Sequence, residues 1–201
     1  MAHAQVSGSG VESFASWSEV ASDRDRGKAQ PSPVKAQEAT RRAVSPDATL
    51  FRIRWSTSAD LPALTDVFVR ASLSNEGDRD ALLAHPEALV LEGDGIAEGL
   101  TRVATHSDDI VGFATTVLVD GVLELQDLFV DPDWMRHGIG HHLVQDAAAI
   151  AAARGFEGIA VTANPHAFLF YDALGFVADG EIQTAFGPGQ RMHLAVAPER
   201  S

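Results

Sequence analysis

The chain has 201 residues, of which 45% are hydrophobic and none is cysteine. This length suits a single domain or a domain with a tail, and the apolar fraction is sufficient for a buried core. The lack of cysteine excludes disulfide bonds, thiolate metal sites and catalysis by a thiol of the protein.

The sequence shows neither a membrane span nor a secretory leader. No run of about 18 apolar residues occurs, and no basic segment with an apolar core starts at Met1. We therefore expect a cytoplasmic protein without a membrane partner.

The charge is distributed unevenly along the chain. Residues 1–48 contain six acidic and six basic residues, so the formal net charge of −13 falls on residues 49–201, where 22 acidic residues face nine arginines and no lysine. Such a surface repels nucleic acid and attracts cationic partners. An acidic surface also serves simply to keep a protein in solution, so the charge alone decides little.

Residues 1–48 differ in composition from the remainder of the chain. Ser, Gly, Ala, Gln and Pro dominate, and Pro31, Pro33 and Pro46 interrupt any periodicity. Such a segment buries too little apolar surface to offset its chain entropy. We predict a disordered extension over residues 1–48 and a folded domain over residues 49–198.

The first part of the domain is predicted to be a strand followed by helices. Alternation over residues 51–55 predicts a strand, and an apolar stripe over residues 61–68 predicts an amphipathic helix. A second helical segment is predicted at residues 79–91, with an interruption at Pro86.

Three antiparallel strands are predicted next, at residues 100–106, 110–119 and 122–130. Asp120-Gly121 is a strong hairpin signal between the last two. A long alanine-rich helix follows at residues 138–154. The later elements are a strand at residues 159–162, a helix at residues 165–174 and two closing strands, near Phe176 and at residues 192–196. This order predicts a twisted, mixed α/β sheet.

Glycines mark the start of the long helix. The first N–H groups of a helix have no partner within it, and the helix dipole adds about half a positive charge there, so a diphosphate is stabilised. Glycine lets an anion approach the chain closely. A plain loop between strand and helix is the alternative. The expected main-chain donors are Arg136, His137, Gly138, Ile139, Gly140 and His141.

Residues 130–176 resemble the acyl-CoA-binding core of the GNAT acetyltransferase superfamily. The family pattern N-x-x-A-x-x-F-Y-x-x-L-G-F is complete from Asn164 to Phe176, whereas Met135 replaces the leading Gln or Arg of the Q/R-x-x-G-x-G/A helix start. The family binds pyrophosphate mainly through main-chain amides, and Arg136 is the expected charged contact here. The resemblance implies a three-layer α/β fold with a central twisted, mixed sheet of six or seven strands, splayed between the fourth and fifth.

The resemblance also implies roles for individual residues. The pantetheine arm of CoA would lie between the two splayed strands, with the thioester carried by the main chain of Leu128, Phe129 and Val130. Tyr171, the only tyrosine in the chain, matches the family tyrosine and is the expected acid for the departing thiolate. Asn164 matches a family asparagine that contacts CoA, while capping of the following helix is an alternative role.

An amine acceptor requires a base, and Glu124 and Asp127 are the candidates. Strict alternation would put them on opposite faces of their strand, but a bulge between them would bring them to the same face. Glu124 lies eleven residues before Met135, which matches the spacing of a catalytic glutamate in some family members, so we favour Glu124. Solvation, or pairing with an arginine, is the alternative for either carboxylate.

We therefore expect an acetyl-CoA-dependent N-acetyltransferase that moves the acetyl group directly to an amine of a small molecule or peptide. A non-catalytic CoA-binding regulator or interaction module with the same fold is the alternative. No metal is predicted, because His137 and His141 have helical spacing but no glutamate or cysteine beside them. The sequence leaves the oligomeric state open, with a homodimer among the alternatives.

Overall fold

The computed structural model describes residues 51–184 and 187–197. The disordered extension predicted for residues 1–48 lies outside the described residues, as do both ends of the domain predicted at residues 49–198. Those boundaries therefore stay predictions.

The described residues form seven strands and five α-helices in the predicted order. One of these helices was not predicted, since four residues are too few for a periodic pattern. Pro86 does divide the predicted second helical segment, and a 3₁₀ turn at Pro86–Leu89 follows the break. The elements are β1 (Arg52–Trp55), α1 (Leu61–Ser72), α2 (Glu76–Ala84), α3 (Asp94–Ala97), β2 (Thr101–His106), β3 (Asp109–Val119), β4 (Val122–Val130), α4 (Ile139–Ala153), β5 (Gly158–Ala163), α5 (Phe168–Ala173), β6 (Val177–Thr184) and β7 (Gly187–Ala195).

The strands of the described chain make one sheet in the order β1-β2-β3-β4-β5-β7-β6. All neighbours are antiparallel except β4 and β5. Within the described residues only two residue pairs join β4 to β5, namely Leu123 with Ile159 and Glu124 with Ala160. Six residues of β4 and three of β5 continue beyond these pairs without joining, so the two strands separate soon after they meet. The predicted splay is confirmed.

Helices cover both faces of the sheet. On one face the apolar side of α1, including Leu64 and Phe68, packs against Phe113 and Phe129. On the other face α4 packs its buried side against alternating apolar residues of β4. The second cluster is larger and includes residues of α5, β5 and β7. Three layers result, as the sequence predicts.

An ion pair between α4 and β2 fixes the long helix across the sheet. Arg102 donates from Nε and Nη2 to the two carboxylate oxygens of Asp146, at 2.7 and 2.9 Å. The Arg102 guanidinium also lies 4.5 Å from the centre of the Trp55 ring. These contacts tie the direction of α4, and hence the position of its first turn, to the sheet.

Candidate active site

A bulge in β4 changes which side chains share a face. Thr115 is opposite Asp127 and Thr116 is opposite Leu125, so Gln126 is an additional residue in the ladder. One additional residue reverses the alternation of the strand. Glu124 and Asp127 therefore lie on the same face, as the sequence required for a shared site.

Beyond the bulge, β4 offers main chain toward β5. Its other edge stays paired with β3 as far as Val130, opposite Gly112. Within the described chain, no β4–β5 pairing continues after Glu124 and Ala160. The side chains of Leu128, Phe129 and Val130 are buried, so peptide groups are what this segment offers to the opening. An extended ligand can pair with such an edge as an added strand does.

The start of α4 lies directly after this segment. Gly138 is the residue before the helix, with a φ of +79°, and Arg136 has a φ of +64°. The His142 N–H donates to the Gly138 carbonyl at 3.0 Å, which places the first helical bond there. The N–H groups of Ile139 and Gly140 and that of the next residue, His141, precede this bond, and helix geometry leaves them available to an anion.

Tyr171 lies in the core beneath the splayed strands. It is fully buried on α5, and its ring makes edge contacts with Phe170 and Phe176, each with 5.1 Å between ring centres. It belongs to the same apolar cluster as Leu128 of β4 and Val161 of β5. The tyrosine thus shares an apolar cluster with residues of both strands that separate, and its predicted role as acid stays a prediction.

Asn164 caps a turn at the end of β5. Its Oδ1 accepts the Ala167 N–H at 2.8 Å. Because this bond holds residues 164–167 in a turn, α5 begins at Phe168, three residues later than the pattern predicts. Asn164 therefore holds the turn that precedes α5 and does not cap the helix itself, whose N-cap residue Ala167 has no side-chain hydrogen bond. The proposed contact of Asn164 with CoA stays a prediction.

Glu124 is paired with an arginine of the last strand. Arg191 Nη1 forms an ion pair with Glu124 Oε1 and donates to Thr162 Oγ1 at 3.2 Å. Burial lowers the pKa of Arg191 below its ordinary value. The structure therefore shows the alternative in which Glu124 pairs with an arginine. An arginine partner favours the charged carboxylate and so weakens it as a proton acceptor.

Asp127 has a different environment. It is partly buried, and Thr115 lies opposite it in β3. Burial raises the pKa of Asp127 to about 6, while the neighbouring Thr115 hydroxyl acts in the opposite direction. Its electrostatic setting is therefore that of a carboxyl group that exchanges a proton near neutral pH.

The part of β4 that is not paired with β5 leads into the first turn of α4 within the described chain, and comparison with known proteins identifies the family. The model of the acetyltransferase (GNAT) family matches residues 63–176, more than half of the chain. The chain belongs to the GNAT acetyltransferase family. The resemblance found in the sequence is confirmed. No curated protein sequence matches this GNAT chain.

Solved structures confirm the GNAT fold. The PaiA N-acetyltransferase of Thermoplasma acidophilum, in complex with coenzyme A, is 19% identical over 73% of this chain and 99% of its own, with a TM-score of 0.60. The ribosomal-protein-S18-alanine N-acetyltransferase of Escherichia coli is 23% identical over 73% and 94%, with a TM-score of 0.56. An aminoglycoside 6′-N-acetyltransferase complexed with coenzyme A is 19% identical over 75% and 99%, with a TM-score of 0.57.

Histidines brace the loop that enters α4 of this GNAT domain. His137 Nδ1 lies 3.0 Å from the Met135 carbonyl, and His142 Nδ1 lies 2.8 Å from the Gly138 carbonyl. Since a carbonyl only accepts, each Nδ1 carries the proton. Among the described residues, no group of three or more His, Asp or Glu side chains is arranged to hold a metal ion. None of the described helices has the length and apolar character that a membrane crossing needs.

Arg70 of α1 holds the turn that precedes this loop. Its Nη1 lies 2.6 Å from Asp131 Oδ2 and its Nη2 lies 2.7 Å from Asp133 Oδ2. Asp131 Oδ1 also accepts the Asp133 N–H at 2.9 Å. The arginine therefore bridges two carboxylates between the end of β4 and the start of α4.

Replacing Arg70 with leucine is expected to weaken CoA binding by at most about twofold to 30-fold, because the turn leading to the helix start is no longer held in place. This range corresponds to the loss of two ion pairs of about 0.2–1 kcal/mol each at a half-exposed arginine. Isothermal titration with CoA measures the change. Arg154→Leu at the opposite end of α4 removes the same charge as a control. An equal loss in both variants would contradict a role for the turn.

Sequence reasoning did not find Arg70, Thr115 or Arg191. Arg70 lies at the end of a helix, where a basic residue is ordinary. Thr115 and Arg191 enter the site only through strand pairing with β4 and β5, from distant parts of the chain. The one usable signal was the presence of two carboxylates on β4, since a partly buried acid requires a partner.

Proposed function

We propose that the protein is an acetyl-CoA-dependent N-acetyltransferase that moves an acetyl group directly to the amine of a small molecule or peptide. The observation that carries the proposal is the continuity of the open β4 edge with the start of α4. An extended pantetheine arm fits the first and a diphosphate fits the second. Two of the similar structures, PaiA and the aminoglycoside enzyme, contain coenzyme A.

In this proposal the main chain at Leu128, Phe129 and Val130 binds the arm and the thioester. Their buried side chains pack into the core, which leaves the peptide groups of β4 to bind the ligand. An N–H directed at the thioester oxygen stabilises the charge that develops there. One such donor contributes about 3 kcal/mol in the transition state.

The acceptor nitrogen loses two protons overall, and the thiolate of CoA gains one. A base takes the first proton from the ammonium group of the acceptor, and the free amine then attacks the thioester carbonyl. The carbon–sulfur bond breaks when the tetrahedral intermediate collapses, the thiolate of CoA takes a proton from an acid, and the second proton of the nitrogen restores that acid. Tyr171 is the proposed donor, because it matches the tyrosine of the family pattern and belongs to the apolar cluster that includes residues of both separating strands.

The acceptor is proposed to be cationic before it reacts. Residues 49–201 contain 22 acidic residues and nine arginines, so the domain attracts an ammonium group at long range. The names of two similar enzymes include both acceptor classes, a ribosomal protein alanine and an aminoglycoside. A test panel for this chain should therefore include polyamines, amino sugars and peptides with free N-termini.

We also propose that the domain comprises residues 49–198, with residues 1–48 as an N-terminal extension, and that the protein acts in the cytoplasm. The family match at residues 63–176 lies within the proposed domain. The extension has no net charge of its own, so it adds nothing to the attraction of a cationic acceptor.

Thermal shift with CoA and acetyl-CoA, followed by thiol release with the amine panel, tests this function. Acetyl-CoA should raise the melting temperature, because it binds the folded state alone. Thiol release should then depend on the amine. Stabilisation by CoA without thiol release from any amine would instead indicate a non-catalytic CoA-binding protein. No stabilisation at all would reject both.

A further inference from the structure

Both lysines of the chain lie outside the proposed acetyltransferase domain. They are Lys28 and Lys35, in the proposed N-terminal extension of residues 1–48, whereas residues 49–201 contain nine arginines and no lysine. A guanidinium group does not lose its proton in proteins, so arginine cannot serve as an amine acceptor. The side-chain amines that this protein can offer to its own active site are therefore those of the two lysines.

The segment that contains the lysines is basic. Residues 24–42 hold all six basic residues of the extension and two of its acidic residues, Asp25 and Glu38, which gives a formal net charge of +4. Residues 49–201 carry a formal net charge of −13. Opposite charges of this kind attract each other over about 8 Å at physiological ionic strength. The lysine segment is thus attracted to the domain, although the extension as a whole is neutral.

The extension joins the domain at the end of the sheet where the proposed cofactor site lies. The Phe51 ring makes an edge contact with the ring of His142, in the first turn of α4, with 5.2 Å between ring centres. Arg52, the next residue, pairs with the end of β2, and the turn after β2 exposes Asp108 and Asp109. The chain before Phe51 therefore starts close to the beginning of α4 and to two negative charges.

The distance from this junction to the proposed thioester site follows from the strand register. Trp55 of β1 lies in one cross-strand row with Leu128 of β4, through Arg102 and Ala114. Three strand spacings measure about 14 Å, and the four residues from Phe51 to Trp55 measure about 13 Å along β1. Phe51 therefore lies about 20 Å from the main chain of Leu128.

The chain between the lysines and Phe51 is long enough to span this distance. Lys35 lies 16 residues before Phe51, and Lys28 lies 23 residues before it. At full extension of about 3.3–3.6 Å per residue, these segments reach about 55 Å and about 80 Å. A 16-residue chain without fixed structure has an r.m.s. end-to-end distance of about 20–24 Å, which matches the span from Phe51 to Leu128. A tether is most effective at such a match.

We propose that the protein acetylates its own extension, with the side-chain amines of Lys35 and Lys28 as acceptors within the same molecule. This inference rests on the proposed acetyl transfer and names an acceptor for it. The lysine ammonium group loses one proton to a base, and its nitrogen then bonds to the acetyl carbon. The thiolate leaves with the electron pair of the carbon–sulfur bond and takes a proton, and the nitrogen loses its second proton as the amide forms. Each transfer releases one proton overall.

The modification limits itself. Each acetyl group removes one positive charge, so the net charge of residues 24–42 falls from +4 to +2 when both lysines are modified. The four arginines of this segment remain charged and accept no acetyl group. The attraction to the domain is therefore weaker in the product, and a chain takes up no more than two acetyl groups on its side chains.

Intact-mass measurement of the full chain with acetyl-CoA, without any added amine, tests the proposal. One or two acetyl groups should appear, and peptide mapping should place them on Lys35 and Lys28. Lys28→Arg/Lys35→Arg keeps the charge of the segment and should lose both. Because the acceptor is tethered, the rate per molecule should stay constant over an about tenfold range of protein concentration. No acetyl group on either lysine, or a rate that rises in proportion to protein concentration, would overturn the proposal.

Competition by CoA separates transfer at the active site from a direct reaction of lysine with acetyl-CoA. CoA occupies the proposed cofactor site without carrying an acetyl group. An about tenfold excess of CoA over saturating acetyl-CoA should therefore slow the acetylation of Lys35 about tenfold, if the two bind equally well. A direct reaction in solution would proceed at the same rate, and that result would also overturn the proposal.

The double variant separates failure of this inference from failure of the proposed function. Lys28→Arg/Lys35→Arg retains the whole proposed domain, so thiol release with the amine panel should continue in it. If this variant transfers to a panel amine and wild type never acetylates its lysines, the inference alone is wrong. If neither the lysines nor any panel amine is acetylated, although the protein binds CoA, the proposed function is wrong and this inference fails with it.

Discussion

Replacing Tyr171 with phenylalanine should lower acetyl transfer about 100-fold while leaving CoA affinity within about twofold of wild type. The phenol is the proposed proton donor to the CoA thiolate, so its loss affects the chemical step alone. Phenylalanine keeps the ring and its edge contacts with Phe170 and Phe176, so the core should stay packed. Thiol release and isothermal titration measure the two quantities.

The melting temperature of the Tyr171→Phe variant distinguishes catalysis from packing. Tyr171 is fully buried, so a structural hydroxyl group would reveal itself as a loss of stability of about 1–3 kcal/mol. Wild-type turnover in this variant would reject the acid role. A large drop in both melting temperature and CoA affinity would show that the hydroxyl group serves the fold.

Replacing Gly138 with alanine should raise the Kd for CoA at least tenfold. Gly138 has a φ of +79° at the start of α4, a conformation that costs an L-residue about 1–2 kcal/mol. Space is not the obstacle, because a Cβ there would meet the His142 ring at 3.6 Å, an ordinary contact. We expect the peptide groups to rotate away from this conformation, and the N–H groups that would bind the diphosphate to move with them.

The chain contains a matched control at the other end of the same helix. Gly155 also has a φ of +79°, and no described atom lies within 4 Å of the position of its Cβ. Gly155→Ala should therefore lower the free energy of unfolding by a similar amount, about 1–2 kcal/mol, with CoA binding unchanged. The two glycines lie beyond opposite ends of α4, whose 15 residues span about 22 Å, so they are far from a common ligand. Equal CoA affinities in the two variants would contradict the proposed role of the helix start.

Asp127 also predicts how stability depends on pH. Its pKa is raised in the folded protein, so the folded state holds a proton that the unfolded state releases between about pH 4 and pH 6. Burial of the charged form therefore costs stability as the pH rises through this window. Asp127→Asn removes the cost and should melt at a temperature equal to or above wild type at pH 7.5. Thermal scans at pH 5 and 7.5 measure the effect, and a lower melting temperature than wild type at both would contradict it.

The elements could be predicted because their signals are local, and the residues proposed for the cofactor side depend on the same signals. Glycines at the helix start, the Asp120-Gly121 hairpin and the pattern from Asn164 to Phe176 each lie within a few residues of one another. The structure has the hairpin and the start of α4 where the pattern indicates, whereas α5 begins three residues later. Local rules of backbone geometry are sufficient for such features.

The acceptor side could not be predicted to the same depth, because it depends on register between distant strands. The bulge at Gln126 follows from how β3 pairs with β4, and nothing in the residues 122–130 alone requires it. Arg191 reaches Glu124 from a strand 67 positions later, across β5. The sequence therefore identified Glu124 and Asp127 as candidates, but only the pairing between strands shows that their surroundings differ.

The short pairing between β4 and β5 affects what holds the two strands at their distance. Only two residue pairs join the strands within the described chain, while one apolar cluster with residues of α4 and α5 includes residues of both strands. Packing beneath the sheet, rather than hydrogen bonding within it, thus sets the width of the gap. Volume changes at Leu143 or Val161, which are both fully buried in this layer, would therefore change the width of the gap.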